Sequence, residues 1–219
     1  MRYQDILKGI KHIGFDLDGT LYQETGEAER ALQKEIFSRY AATNDISYLE
    51  AFGRIEGRKK IIGSTHRTLG LLGIDNPGEF IDNCAAEVGL DELLAPDQRL
   101  GDLLTKVKEK YGLFLITNVP RQNAEKRLQK LGVGSSLFDF LMYGDIYRKV
   151  EVHAFEKSLQ ELKMEENPWS CVYIGNRIDT DIVPAKLAGM RTIYVGGWIP
   201  EADCCLPTIY SLSELLDKE

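Results

Sequence analysis

The chain has 219 residues, 43% hydrophobic and 28% charged, which suits a globular protein with one large domain or a core with an inserted subdomain. Its 27 basic and 34 acidic side chains give a formal net charge of −7, which disfavours a general nucleic-acid-binding protein, because such proteins usually carry a basic face. No stretch approaches the roughly 18 uninterrupted apolar residues of a membrane span. The first twelve residues have no continuous apolar core and no small-residue cleavage site, so we expect no secretory signal. The four cysteines lack metal-finger spacing. We therefore expect a cytoplasmic protein with reduced thiols and with neither nucleic acid nor a membrane as partner.

The first feature along the chain is a short apolar run, 13–15, that ends in two aspartates, Asp16 and Asp18. Residues i and i+2 of an extended segment point the same way, so both carboxylates are expected at one end of a strand. Two like charges that close are costly unless a cation neutralises them or one keeps its proton. The alternative is a solvated turn, since Asp and Gly are common turn residues.

The following stretch, up to about residue 96, shows helical spacing only. Four short helices without an intervening strand predict a small helical bundle. The predicted helices cover 27–40, 47–58, 65–72 and 79–88.

From Pro96 onwards, apolar runs alternate with helical patterns. This alternation predicts an α/β fold with a doubly wound (Rossmann-like) parallel sheet. In such sheets ligands bind beyond the carboxyl ends of the strands, so the polar residues after each apolar run are the candidates for a site. The predicted strands are 113–116, 138–143, 171–174 and 192–195, and the predicted helices are 100–107, 123–131, 155–162, 181–187 and 213–216.

Two of these strand ends carry groups that suit an anion. Thr117 and Asn118 place a hydroxyl and an amide where the chain turns into a helix, a natural anion site, although Thr117 is also a plausible helix N-cap. Lys149 follows the next strand and supplies a positive charge, although a solvated surface lysine is the ordinary alternative.

The strand that ends near residue 174 is followed by an amide and two carboxylates, Asn176, Asp179 and Asp181. These groups either bind a metal or cap the helix that follows. Because every candidate ligand is a hard oxygen, Mg²⁺ fits better than zinc.

These groups together form the inventory for phosphoryl transfer. An ordinary aspartate has a pKa near about 3.9, so Asp16 is expected to be an anionic nucleophile at neutral pH. Attack on phosphorus gives an aspartyl-phosphate, which splits one hard hydrolysis into two steps. Asp18 would protonate the leaving oxygen and then take a proton from water.

The sequence resembles the haloacid dehalogenase-like (HAD) superfamily, phosphatase branch. FDLDGTLY, LFLITN, RKVEVHAFEKSL and VYIGNRIDTDIVPAKLAGM are similar to its four motifs, in the same order. The resemblance implies a core domain, 1–21 plus 97–219, and a helical cap domain, 22–96. It also implies a role for each matching residue: catalytic Asp16 (nucleophile) and Asp18 (acid/base), phosphate-binding Thr117, Asn118 and Lys149, and the metal ligands Asp16, Asp18 (through its carbonyl), Asn176 and Asp181.

Two positions depart from the family pattern. Asn176 stands where the family usually has a metal-binding aspartate, and a neutral amide oxygen binds Mg²⁺ less strongly than a carboxylate. Lys149 is followed by Val150 and Glu151, where the family commonly has a proline.

The predicted function is a Mg²⁺-dependent phosphatase that hydrolyses a small phosphorylated metabolite through an aspartyl-phosphate. The alternatives are a 2-haloacid dehalogenase, a phosphomutase and a non-catalytic phospho-ligand-binding protein. The basic run 54–60, with His66 and Arg67, either contacts the substrate from the cap or forms a solvated helix face. The sequence makes no prediction of the oligomeric state.

Overall fold

The computed structural model describes residues 5–23, 26–62, 64–89, 92, 94–149 and 152–216. The chain forms two compact units, one from Met1–Gln23 together with Ala95–Glu219 and one from Glu24–Leu94. The boundaries predicted for the core and the cap lie two residues from these. Val150 and Glu151, which depart from the family pattern, lie outside the described residues.

The first unit is built on a six-stranded sheet in which every neighbouring pair is parallel. The strand order is β3-β2-β1-β4-β5-β6, the order of a doubly wound sheet, so the predicted fold class is confirmed. The sixth strand was not predicted, because its three residues are too few to show a pattern. The strands are β1 His12–Phe15, β2 Gly112–Ile116, β3 Phe140–Met142, β4 Cys171–Gly175, β5 Arg191–Val195 and β6 Cys204–Leu206.

The second unit contains helices and connecting turns, and no strand, among its described residues. Its helices begin where the sequence offers capping groups: the Ser64 hydroxyl accepts a hydrogen bond from Arg67 N, and the Asn76 amide oxygen accepts one from Glu79 N. The unit has its own core, in which Tyr40, Ile55 and Leu69 are buried. The helices are α1 Gly26–Asn44, α2 Tyr48–Ile62, α3 Thr65–Leu71 and α4 Pro77–Glu87.

The remaining described helices belong to the first unit. Asp97 begins the first of them by accepting a hydrogen bond from Leu100 N at 3.1 Å. None of the helices in the described parts of the chain is long and apolar enough to span a membrane. These helices are α5 Gln98–Lys108, α6 Arg121–Lys130, α7 His153–Glu161, α8 Val183–Leu187 and α9 Leu212–Leu216.

Gly14, in the central strand β1, creates room for two large side chains from the neighbouring strands. It pairs with Phe114 on β2 and with Tyr173 on β4. A Cβ atom at position 14 would lie 2.2 Å from the Phe114 ring. Without it, the rings of Phe114 and Tyr173 lie 6.2 Å apart, and the Tyr173 hydroxyl donates a hydrogen bond to Ile116 O at 2.7 Å.

The direction of chain winding reverses between β1 and β4. Strands β2 and β3 lie on one side of β1, whereas β4, β5 and β6 lie on the other. Such a switch point leaves a crevice at the carboxyl ends of the strands, which is where ligands bind in sheets of this kind.

Candidate active site

Lys149 lies at the centre of the polar groups at this edge of the sheet. Its Nζ donates a short hydrogen bond to Asp16 Oδ1, and it lies 2.7 Å from Asp181 Oδ1 and 3.3 Å from the Tyr173 hydroxyl. The side chain is only 2% exposed. Lys149 is therefore not a solvated surface lysine, and it joins the loops that follow β1, β3 and β4.

The electrostatics of this cluster raise the pKa of Asp16 towards neutrality. Burial raises the pKa of Asp16 to about 7; Lys149 opposes this shift, while Asp181 and Asp18 add to it. Burial alone would lower the pKa of Lys149, but its contacts with Asp16 and Asp181 raise it. The cluster therefore holds a firmly charged ammonium and a carboxyl that titrates near neutrality. The ordinary pKa expected for Asp16 from the sequence does not hold in the folded protein.

Asp181 organises the loop after β4. It lies in a π-helical turn, Ile178–Ile182, a rare geometry often found at functional sites. Its Oδ2 accepts hydrogen bonds from Asn176 N at 3.1 Å and from Arg177 N at 2.9 Å. Gly175 allows this approach, since a Cβ atom there would lie 2.4 Å from the Asp181 Cβ. Asp181 therefore secures both its own loop and Lys149.

The loop after β2 is fixed by its own polar side chains. The Thr117 hydroxyl oxygen accepts a hydrogen bond from Val119 N at 3.1 Å. Helix α6 has Pro120 at its N-cap, so Thr117 is not the helix cap considered above. Asn118 Oδ1 accepts a hydrogen bond from Lys149 N at 2.7 Å and so attaches the lysine loop to β2.

Asp18 has two partners of its own. Arg127 Nη1 lies 2.6 Å from its Oδ2, and the Tyr22 hydroxyl donates to its Oδ1 at 2.6 Å. Sequence reasoning missed Arg127. A signal was present, because Arg127 interrupts the apolar face that Ala124 and Leu128 form at helical spacing.

The oxygen donors near Asp16 fit a magnesium ion in kind. The Thr20 hydroxyl donates to Asp16 Oδ2 at 3.3 Å and lies 3.5 Å from Asn176 Oδ1, so the carboxylate and the amide oxygen share this neighbour. Both are hard oxygens, and Mg²⁺ commonly takes one or two carboxylates together with water and substrate phosphate.

The described residues contain no group of three or more His, Cys, Asp or Glu side chains arranged to hold a metal. Asp181, one of the predicted metal ligands, has both carboxylate oxygens engaged, by Lys149 and by two backbone N–H groups. Asp179 lies 3.7 Å from Arg177 Nε. The metal-ligand assignments therefore stay predictions.

A family model described as haloacid dehalogenase-like hydrolase matches residues 10–189. The chain belongs to this family. The match covers every site residue discussed above and runs through the helical unit as well as the α/β unit.

Curated relatives of this HAD-like hydrolase include three proteins named glyceraldehyde 3-phosphate phosphatase. The one from Methanocaldococcus jannaschii is 29% identical and covers 95% of this chain and 96% of its own, and the one from Methanothermobacter thermautotrophicus is 26% identical and covers 89% of each. Among solved structures, a HAD phosphatase from Thermococcus onnurineus superposes with a TM-score of 0.67 at 22% identity, covering 96% of this chain and 99% of its own. The family model and the curated relatives confirm the predicted family and the prediction of a hydrolase of the phosphatase class, and the solved structure confirms the fold.

Proposed function

We propose that this HAD-like hydrolase is a Mg²⁺-dependent phosphatase that acts on a small phosphorylated metabolite through an aspartyl-phosphate on Asp16. The observation that carries the proposal is the buried lysine between two carboxylates. Lys149 contacts Asp16 and Asp181 at the carboxyl edge of the sheet, where a phosphate would also meet its positive charge. Groups already held in place for developing negative charge need little reorganisation during the reaction.

In this mechanism Asp16 attacks phosphorus and Asp18 gives its proton to the leaving oxygen. Asp18 then takes a proton from the water that releases phosphate from Asp16, which regenerates both side chains. Thr117, Asn118 and Lys149 would bind the phosphate oxygens.

The metal would be held by Asp16, the Asp18 carbonyl and Asn176, with Asp181 as the further predicted ligand. When bound, Mg²⁺ supplies positive charge that favours the ionised form of Asp16 and neutralises phosphoryl oxygens. This contribution matters because burial raises the pKa of Asp16 to about 7.

The names of the relatives suggest where to begin the search for the substrate. Three of them are called glyceraldehyde 3-phosphate phosphatase. A three-carbon phosphorylated aldehyde is therefore the first metabolite to test, within a panel of sugar, glycolate-type and nucleoside monophosphates.

The experiment measures phosphate release from this panel and from p-nitrophenyl phosphate, with Mg²⁺ and with EDTA, for the wild type and Asp16→Asn. We expect Mg²⁺-dependent release by the wild type and none by the variant. Equal release by both proteins would refute the role of Asp16, and full activity in EDTA would refute the role of the metal. Halide release from a haloacid without metal would instead favour the dehalogenase alternative.

A further inference from the structure

Arg127 is one of four charged residues that are buried among the described parts of the chain. The other three, Asp16, Lys149 and Asp181, form the cluster described above. A buried charge is costly unless it is paired. The fourth buried charge pairs with Asp18, the proposed acid/base, so all four of these charges converge on proposed catalytic side chains.

The Asp18 carboxylate is held from both sides. Arg127 Nη1 lies 2.6 Å from Oδ2, and the Tyr22 hydroxyl lies 2.6 Å from Oδ1. The Arg127 side chain is only 4% exposed, so the surrounding protein restricts the position of its guanidinium group. The Asp18 side chain is 30% exposed and remains accessible to a substrate. Each carboxyl oxygen has two lone-pair positions, so a carboxyl that accepts one hydrogen bond on each oxygen can still carry a proton and present it to the leaving oxygen.

We propose that Arg127 is a positioning residue that fixes the Asp18 carboxylate for proton donation to the leaving oxygen, an inference that rests on the proposed function. A buried ion pair is weak support for stability, because desolvation offsets its Coulomb energy, but it defines an orientation. Tyr22 adds a second restraint on the same carboxylate. Together they hold the proton donor at a fixed place before a substrate arrives.

This role predicts a dependence on the leaving group. When the P–O bond to an alkyl group breaks, the leaving alkoxide needs the Asp18 proton, whereas a nitrophenolate is stable without it. The proton passes from Asp18 to the leaving oxygen, and the phosphoryl group passes to Asp16. A misplaced Asp18 therefore slows transfer from alkyl phosphates and leaves transfer from nitrophenyl phosphates almost unchanged.

The test compares kcat/KM, which reports the steps up to departure of the leaving group, for p-nitrophenyl phosphate and for the alkyl phosphate that the panel identifies as best. Proton transfer by a positioned group typically accelerates a reaction by roughly 10²–10⁴-fold. We expect Arg127→Met to lower kcat/KM on the alkyl substrate by about 10- to 100-fold. The loss on the aryl substrate should stay below about 3-fold, and Arg127→Lys should recover part of the alkyl activity.

Arg121→Met is the matched control, because Arg121 lies on the same helix, is 65% exposed and pairs with Glu125. This variant should have the same kcat/KM as the wild type on both substrates. Equal losses on the two substrates, or no loss on either, would overturn the inference and give Arg127 a purely structural role.

If Arg127→Met does not fold, Arg127→Lys decides the question, because it keeps a buried cation but not the guanidinium geometry at Asp18. Tyr22→Phe tests the second restraint. This variant removes only the hydroxyl on Asp18 Oδ1. A selective loss of kcat/KM on the alkyl substrate in either variant supports the inference, and the absence of a selective loss in Arg127→Lys overturns it. The proposed function fails separately, namely if Asp16→Asn retains the activity of the wild type.

Discussion

Replacing Asp16 with Asn should abolish activity. It should also make the protein increasingly more stable than the wild type as the pH rises. Asp16 is 5% exposed, and burial raises its pKa from the ordinary 3.8 to about 7. A carboxyl with a raised folded-state pKa contributes its full stability below its unfolded pKa and loses it as the pH rises through the folded pKa. An asparagine does not titrate and suffers no such loss.

The size of the effect follows from the two pKa values. Each pH unit between them corresponds to about 1.4 kcal/mol, so the wild type should lose about 4 kcal/mol of unfolding free energy relative to Asp16→Asn between pH 4 and pH 7. Above about pH 8, where Asp16 is fully ionised in both states, the difference between the two proteins should be constant.

The assay is urea-induced unfolding of both proteins between pH 4.5 and pH 8, in EDTA so that no metal ion neutralises Asp16. Asp97→Asn is the matched control, because a hydrogen bond from Tyr210 lowers the pKa of Asp97 below its ordinary value. Asp97 therefore contributes its full stability at any pH above its ordinary pKa, and this contribution is lost only as the pH falls through the folded-state pKa. The control should therefore show an effect that is independent of pH across this range.

A difference between Asp16→Asn and the wild type that stays constant within about 1 kcal/mol from pH 4.5 to pH 8 would refute the reasoning. A difference that shrinks as the pH rises would refute it as well. Either result would mean that the protein neutralises an ionised Asp16 without help from a proton or a bound cation.

Three further substitutions test the packing around the site, each by urea unfolding. Lys149→Met leaves Asp16 and Asp181 buried without their cation and should cost about 3–5 kcal/mol at pH 7, and less at pH 5, where Asp16 is protonated. Tyr173→Phe removes the donor to Ile116 O and should cost about 1–3 kcal/mol. Gly14→Ala drives a methyl group against the Phe114 ring and should also cost about 1–3 kcal/mol, part of which Phe114→Leu should restore in the double variant. A cost below about 0.5 kcal/mol for any of them would contradict the contact on which it rests.

Much of the fold was predictable because the central strands are continuous apolar runs that end at polar residues. The runs ending at Phe15, Ile116 and Ile174 are strands that lie side by side in the sheet. The edge was harder to predict. Strand β6 has three residues, and the predicted strand 138–143 is shorter in the structure, Phe140–Met142, and follows a 3₁₀ turn at 135–137.

Within the site, the sequence indicated which strand ends carry reactive groups but not how those groups pair. Both carboxylates of the Lys149 cluster come from strands other than the one that precedes Lys149, so no local spacing predicts these contacts. The raised pKa of Asp16 was equally out of reach, because it arises from burial in the assembled structure. Arg127 could have been found by asking why an arginine interrupts an apolar helix face.

The placement of β1 at the centre of the sheet has a consequence for how the protein is made. The register pairs His12 with Gly112 on one side and with Cys171 on the other, so β1 leaves the ribosome long before either neighbour. At about 5–20 residues per second, β1 would wait roughly 5–20 s for β2 and about half as long again for β4. The helical unit is synthesised in that interval and has its own core, whereas the apolar strand that carries Asp16 has no partner. Nascent chains that stop before Cys171, where β4 begins, would therefore leave one edge of β1 unpaired, a form prone to aggregation.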